Sequence, residues 1–196
     1  MIERAAVLAL HYQNEVVHPD GAIRLGTSDV ERRTSLIAAA QRFLAGAREA
    51  QLPLVHVRIA FPEGHKGVKP NAPIFRNVIA SGAMVDGSWG AEFYAGLEPQ
   101  DGEFVVTHSR INGFFDSSLE QVLRKLEVTR LIMAGVATNS VVEHTARHAA
   151  DMGYEVIVAA DACSAGQREV HDAALYNISL IGDVSDVDTI FGRRQA

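Results

Sequence analysis

Cysteine is almost missing from this chain of 196 residues. The single Cys163 excludes an internal disulfide framework and any zinc site built from several thiolates. Long apolar runs are missing too. The opening segment places an acid and a base before only six apolar residues, Ala5 to Leu10, far short of the roughly 20 a membrane span needs. It also lacks a signal-peptide cleavage pattern, so it reads as a buried strand of a cytoplasmic protein with no membrane partner. No basic run exceeds a pair and the formal net charge is −6, which argues against a nucleic-acid partner that would need a clustered basic face. Neither G-x-G-x-x-G nor G-x-x-x-x-G-K occurs, so no dinucleotide or nucleoside triphosphate is indicated and no cofactor is expected. The G-x-S-x-G elbow of serine hydrolases is also missing. Cys163, in DACSAG before a helical stretch, reads as a small buried residue.

What is present is a chain with 47% hydrophobic residues, long enough for one domain, residues 1–196, with a full core. Short aliphatic runs alternate with longer amphipathic ones, the pattern of parallel strands joined by crossover helices. This predicts a three-layer α/β/α fold around a doubly wound, mainly parallel, six-stranded sheet. The expected strands are Ala5 to Leu10, Leu54 to Arg58, Phe104 to Thr107, Arg130 to Ala134, Glu155 to Ala160 and Gly182 to Val184. Ser28 or Asp29 is positioned to cap a helix running to about Gln51, with Leu36, Ile37, Ala40, Phe43, Leu44 and Ala47 on its buried face. Further helices are expected over Ser118 to Leu126, Ser140 to Met152 and Gln167 to Leu180, the second opened by a Ser140/Glu143 capping box. Residues 60–102 break the rhythm, holding four of the six prolines and the only tryptophan, Trp89. So long a connection in a compact domain suggests a lid, a pocket wall or a surface for a partner subunit.

In a doubly wound sheet the carboxyl ends of the strands converge on one edge, where ligands bind. Three segments end there: His11-Tyr12-Gln13-Asn14-Glu15, His108-Ser109-Arg110, and the turn Gly135-Val136-Ala137-Thr138-Asn139 leading to Val141. HYQNEVVHPDG, LVHVRIAF, VVTHSRINGFFDSSL, LIMAGVATNSVVEHTARHAADMGY and VIVAADACSA resemble, in order and spacing, the isochorismatase-like cysteine hydrolases. That resemblance covers nearly the whole chain. It implies a catalytic Asp, Lys and Cys at the three strand ends, with oxyanion-binding amides aimed by a cis peptide before the Ala of the GVAT turn. Carried over by position, the Asp falls on His11, the Lys on His108 and the Cys on Val141, and the oxyanion donors on the amides of Ala137 and Val141. A valine cannot attack a carbonyl. Thiol-based amidase chemistry is therefore excluded, while backbone donors at a helix start do not depend on side-chain identity.

Three readings of His11 and His108 stand open, on strands taken as neighbours. They form a general acid/base pair titrating near neutral pH, or two polar fillers of a vacated site, or metal ligands requiring a third donor such as Glu15 or His56. The family's nicotinamidase metal pattern, Asp-x-His with a later His, is present only as His56-Val57-Arg58 and His65 without the Asp, so no metal is assigned. Tyr12, Gln13, Trp89 and Phe114 are expected to line a pocket for a planar ligand. Ser140 and Ser109 are weaker nucleophile candidates, His144 a surface position, and Arg110 and Arg147 partners for Asp116 or Asp161. The function these readings imply is a hydrolase-like protein acting on a small carboxylate or cyclic carbonyl metabolite by non-thiol histidine chemistry. The alternative is an inactive relative that binds a small molecule or forms oligomers. A homo-oligomer, dimer or tetramer, is expected in either case.

Overall fold

Aliphatic runs buried on both faces pair side by side as parallel strands, because helices must cover each face of such a sheet. In the computed structural model, which describes residues 4–23 and 29–192, six strands form one sheet: β1 (Ala5–Leu10), β2 (Leu54–Ile59), β3 (Phe104–His108), β4 (Arg130–Gly135), β5 (Glu155–Ala159) and β6 (Asp183–Ser185). Their order is β3-β2-β1-β4-β5-β6, and every pairing is parallel. All six residues of β1 are buried, as its central place between β2 and β4 requires. The strand order reverses there, between β1 and β4, opening the crevice at their carboxyl ends.

The helices are α1 (Asn14–Val17), α2 (Val30–Glu49), α3 (Pro73–Ser81), α4 (Leu119–Lys125), α5 (Glu143–Asp151), α6 (Arg168–Ser179) and α7 (Val187–Ile190). They complete a three-layer α/β/α architecture in which α2 packs on α7 and α5 on α6. Asp29 caps α2, its carboxylate accepting from the Arg32 amide at 2.9 Å; Ser28 lies outside the described residues. The buried stripe of α2 holds Leu36, Ala39, Ala40, Phe43, Leu44 and Ala47. Ile37, expected on that face, is only partly buried and Ala39 takes its place. Burying each large side chain of this stripe stabilises by about 1.5–3 kcal/mol, so packing rather than intrinsic propensity holds α2. None of the helices among the described residues is long and apolar enough to cross a membrane.

The structure corrects three local expectations. The Ser140/Glu143 capping box does not form, because the chain makes a wide π-type turn over Thr138–Val142 before α5, with the Val142 amide reaching back to the Ala137 carbonyl at 3.3 Å. Ser140 therefore lies inside a turn rather than at a cap. Its supposed partner Glu143 accepts instead from Arg147 and from Asn177. The long connection is not irregular throughout: Pro73 starts α3, which buries Phe75 and Val78, and Pro in a first helical turn is favourable because its missing N–H has no partner there anyway. Asp161 pairs with Arg42, not with Arg110 or Arg147.

Candidate active site

Gly135 ends β4 at φ 157°, so close to β1 that a Cβ there would lie 2.1 Å from the Leu10 carbonyl oxygen. Only glycine permits this approach. The turn after it carries a cis peptide at Val136–Ala137, as the resemblance carried by the GVATN segment implies. Thr138 is tied on either side, its amide to the Ser164 carbonyl at 2.8 Å and its hydroxyl to His171 Nδ1 at 2.8 Å. The turn is thereby tied to α6 and to the segment that follows β5, while the Val136 amide ties it to the Leu10 carbonyl of β1 at 3.1 Å. The Ala137 amide has no hydrogen-bond partner among the described residues.

His11 leaves the end of β1 in the left-handed region, φ 57°, a conformation that His tolerates better than most side chains. Its amide is held by the Val57 carbonyl at 2.9 Å. His108 ends β3, and since β2 lies between β1 and β3 the two are not on neighbouring strands. They meet over the end of β2, Nε2 to Nε2 at 2.5 Å, with stacked rings 4.8 Å apart. Both are buried. Burial holds the His108 imidazole down at about 4, against a smaller opposing pull from the Asn112 carbonyl. That carbonyl favours the charged form without reaching ordinary hydrogen-bond geometry, since His108 Nδ1 has no partner. Burial, then the proximity of His108, pushes His11 well below the usual histidine range. At neutral pH the pair is uncharged, one ring donating and the other accepting.

The two rings stand in series rather than side by side toward a ligand. A cavity of about 50 Å³ opens beside His11, Ala137 and Ser140, while its other walls are almost wholly apolar, Phe61 and Phe75 among them, and Arg110 closes one side. His108 sits behind His11 and does not line it. The volume admits a few water molecules or one small planar group.

Most of the expected pocket wall points elsewhere. Tyr12 is buried and its hydroxyl donates to the Ala162 carbonyl at 2.5 Å. The Gln13 amide spans backbone groups, donating to the Ile59 and Ala91 carbonyls and accepting from the Ile59 amide, which locks the end of β2 to that of β1. Trp89 lies edge-on to His18 and Phe114 stacks on His148, so neither reaches the cavity. Val141 is buried in its turn without lining it. The true walls, Ile59, Phe61, Ile74, Phe75 and Met84, come largely from the long connection. The Phe75/Val78 spacing in PIFRNVIAS was the signal that could have placed a helix there. Arg110 forms no ion pair with a described acid; it stacks on Phe75, 3.6 Å from the ring centroid, and donates to Asn71 Oδ1 at 2.8 Å.

Third metal donors do not assemble around the pair. His56 bonds Glu103 at 2.8 Å, His65 bonds the Ala83 carbonyl at 2.8 Å, and no group of three metal-ligating side chains occurs among the described residues. Cys163 is buried, its thiol raised to about 12 chiefly by burial, in keeping with a packing role.

Against known proteins, a family model described as the isochorismatase domain matches residues 5–189. Ureidoacrylate amidohydrolase RutB of Serratia proteamaculans (strain 568) is 29% identical over 201 residues, covering 95% of this chain and 81% of the relative. Among solved structures, an isochorismatase-like hydrolase from Alkaliphilus metalliredigens superposes with a TM-score of 0.80 at 25% identity, over 96% of this chain and 98% of the other. A cysteine hydrolase from Pseudomonas syringae pv. phaseolicola 1448A gives 0.86 at 23% identity, over 97% and 92%, a likeness of fold.

Proposed function

This chain belongs to the isochorismatase family of hydrolases, and from that premise we propose that it hydrolyses a small carboxylate or cyclic carbonyl metabolite through a two-histidine proton relay rather than a thioester. The observation that carries this reading is the direct Nε2 to Nε2 contact of His11 and His108 behind a small, mostly apolar cavity. In one tautomer His11 donates from Nε2 to His108, leaving the His11 Nδ1 lone pair to take a proton from water. As water attacks the substrate carbonyl, the His11 Nε2 proton passes to His108 Nε2. The departing group then recovers a proton by the same path in reverse. The Ala137 amide, which has no hydrogen-bond partner among the described residues, suits the oxyanion that forms, and the neighbouring Val141 amide belongs to the same proposal. The Asn112 carbonyl favours the transient charge on His108.

The energy scale is compatible with this relay. Protonating a group of pKa about 4 at pH 7 costs about 4 kcal/mol, a minor part of the roughly 16 kcal/mol barrier that corresponds to about ten turnovers per second. The apolar walls admit a ring or short chain. RutB is named for action on ureidoacrylate, so ureidoacrylate joins aromatic amides, vinyl-ether acids and lactams in the test panel. The expected result is turnover that falls at least about tenfold in both His11→Asn and His108→Gln, with fold monitored by circular dichroism. Equal rates in folded variants defeat the relay. Ligand binding without turnover in the wild-type protein establishes the other reading, an inactive relative retained to bind a small molecule. The homo-oligomeric state and a cytoplasmic location belong to the same proposal.

A further inference from the structure

Outside the buried cavity, a second cleft of about 680 Å³ lies between the 62–71 loop and the turn after β3. Arg110 lines both spaces. The chain has only three lysines, and two of them, Lys66 and Lys69, line this cleft with Arg110 against one acid, Asp116. None of these cations forms an ion pair with a described residue. In a protein of net charge −6, unpaired positive charge concentrated at one concave site is a locally favourable potential for an anion. The loop is anchored: His65 is buried, its ring bonded to the Ala83 carbonyl at 2.8 Å and packed on Phe61. Phe115, which also lines the cleft, is 59% exposed and leaves apolar ring surface open to solvent. Arg110 is braced by Phe75, by Asn71 and by the Lys69 carbonyl, which fixes its always-charged guanidinium at the edge of the cleft.

We propose that this outer cleft is an anion-binding site for a planar aromatic compound bearing a carboxylate or phosphate, with the anionic group held by Lys66, Lys69 and Arg110 and the ring stacked on Phe115. The inference does not depend on the histidine relay. It concerns binding, and it stands or falls whether or not His11 and His108 turn anything over.

Isothermal titration of the full chain with AMP, adenosine, hippurate and inorganic phosphate tests it. AMP or hippurate should bind saturably, the first marking a phosphate-bearing ligand and the second a carboxylate-bearing one, while uncharged adenosine should bind at least about tenfold more weakly than AMP. Affinity for the anionic probe should fall about tenfold in the Lys66→Ala/Lys69→Ala double variant, and also on raising NaCl from about 50 mM to about 500 mM. Phe115→Ala should weaken the ring-bearing probe and leave inorganic phosphate unchanged. Both lysines and Phe115 are exposed, so these variants should keep the wild-type circular dichroism and melting temperature. Absence of saturable binding by both anionic probes overturns the proposal. So does binding that is indifferent to the lysine substitutions and to salt, or adenosine binding as tightly as AMP.

Discussion

Acidification should destabilise this protein earlier than its carboxylates alone would, because two buried neutral imidazoles meet at its centre. Both have folded-state pKa values below those of an unfolded chain, His108 at about 4 and His11, chiefly through burial, well below the usual histidine range. A lowered pKa means that the unfolded state binds protons more readily, so the stabilisation is complete above about pH 6.5 and is lost as pH falls through and below that value. For His108 the full effect, reached below its folded pKa of about 4, is about 3 kcal/mol at 1.36 kcal/mol per unit. By pH 5 the loss from His108 alone is about 2 kcal/mol, a large fraction of the 5–15 kcal/mol typical of a domain. His11 adds to it. Urea unfolding followed by tryptophan fluorescence at pH 7.5, 6.5, 5.5 and 5.0 gives the stability at each point, and His108→Gln supplies a polar ring-free control that does not titrate. The wild-type protein should lose at least about 2 kcal/mol more than His108→Gln between pH 7.5 and 5.0. Parallel curves for the two proteins would show that the pair is not held neutral by burial, and the relay built on that neutrality would go with it.

Gly135→Ala should destabilise severely, by more than about 3 kcal/mol, since its Cβ would collide with the Leu10 carbonyl at 2.1 Å; an unchanged thermal midpoint would refute that packing. Glu103 accepts two bonds from Arg48 at 2.7 and 3.0 Å and one from His56, and Arg48 heads the hydrogen bonds that hold its carboxyl down at about 2 against the opposing effect of burial. Its stabilisation is complete above the unfolded carboxylate range and is lost as pH falls from there toward 2. Glu103→Gln should therefore cost about 1–3 kcal/mol at pH 7, with the difference from wild type shrinking below pH 4, and a difference constant with pH would contradict the assignment.

The alternation of aliphatic and amphipathic runs was enough to give six strands and helices α2, α4, α5 and α6 but not α1, α3 or α7, because burial on both faces demands an uninterrupted aliphatic run such as that of β1, while one-sided burial leaves a helical stripe in α2. The GVATN turn and its cis peptide were legible through the family resemblance, whereas the close approach of Gly135 to Leu10 emerged only from the packing of β4 on β1. Strand ends erred by only a residue or so, as at Ile59, His108 and Gly135, where pairing continues one step beyond the apolar pattern.

The direction in which a side chain points was not legible. Tyr12, Gln13, Trp89 and Phe114 stand near the right strand ends or in the right insertion, yet each is satisfied by a partner distant in sequence: Ala162, Ile59 and Ala91, His18, and His148. Arg110 looked like a partner for an acid and instead stacks on Phe75, distant in sequence but adjacent once α3 folds over the cavity. By itself the sequence determined the sheet, the turn and the identity of the two histidines. Only the tertiary structure decided that those histidines touch across β2, that one faces the cavity while the other stands behind it, and that cations gather at the outer cleft. Periodicity records how each segment divides core from solvent, whereas contacts between segments depend on how several of them pack at once.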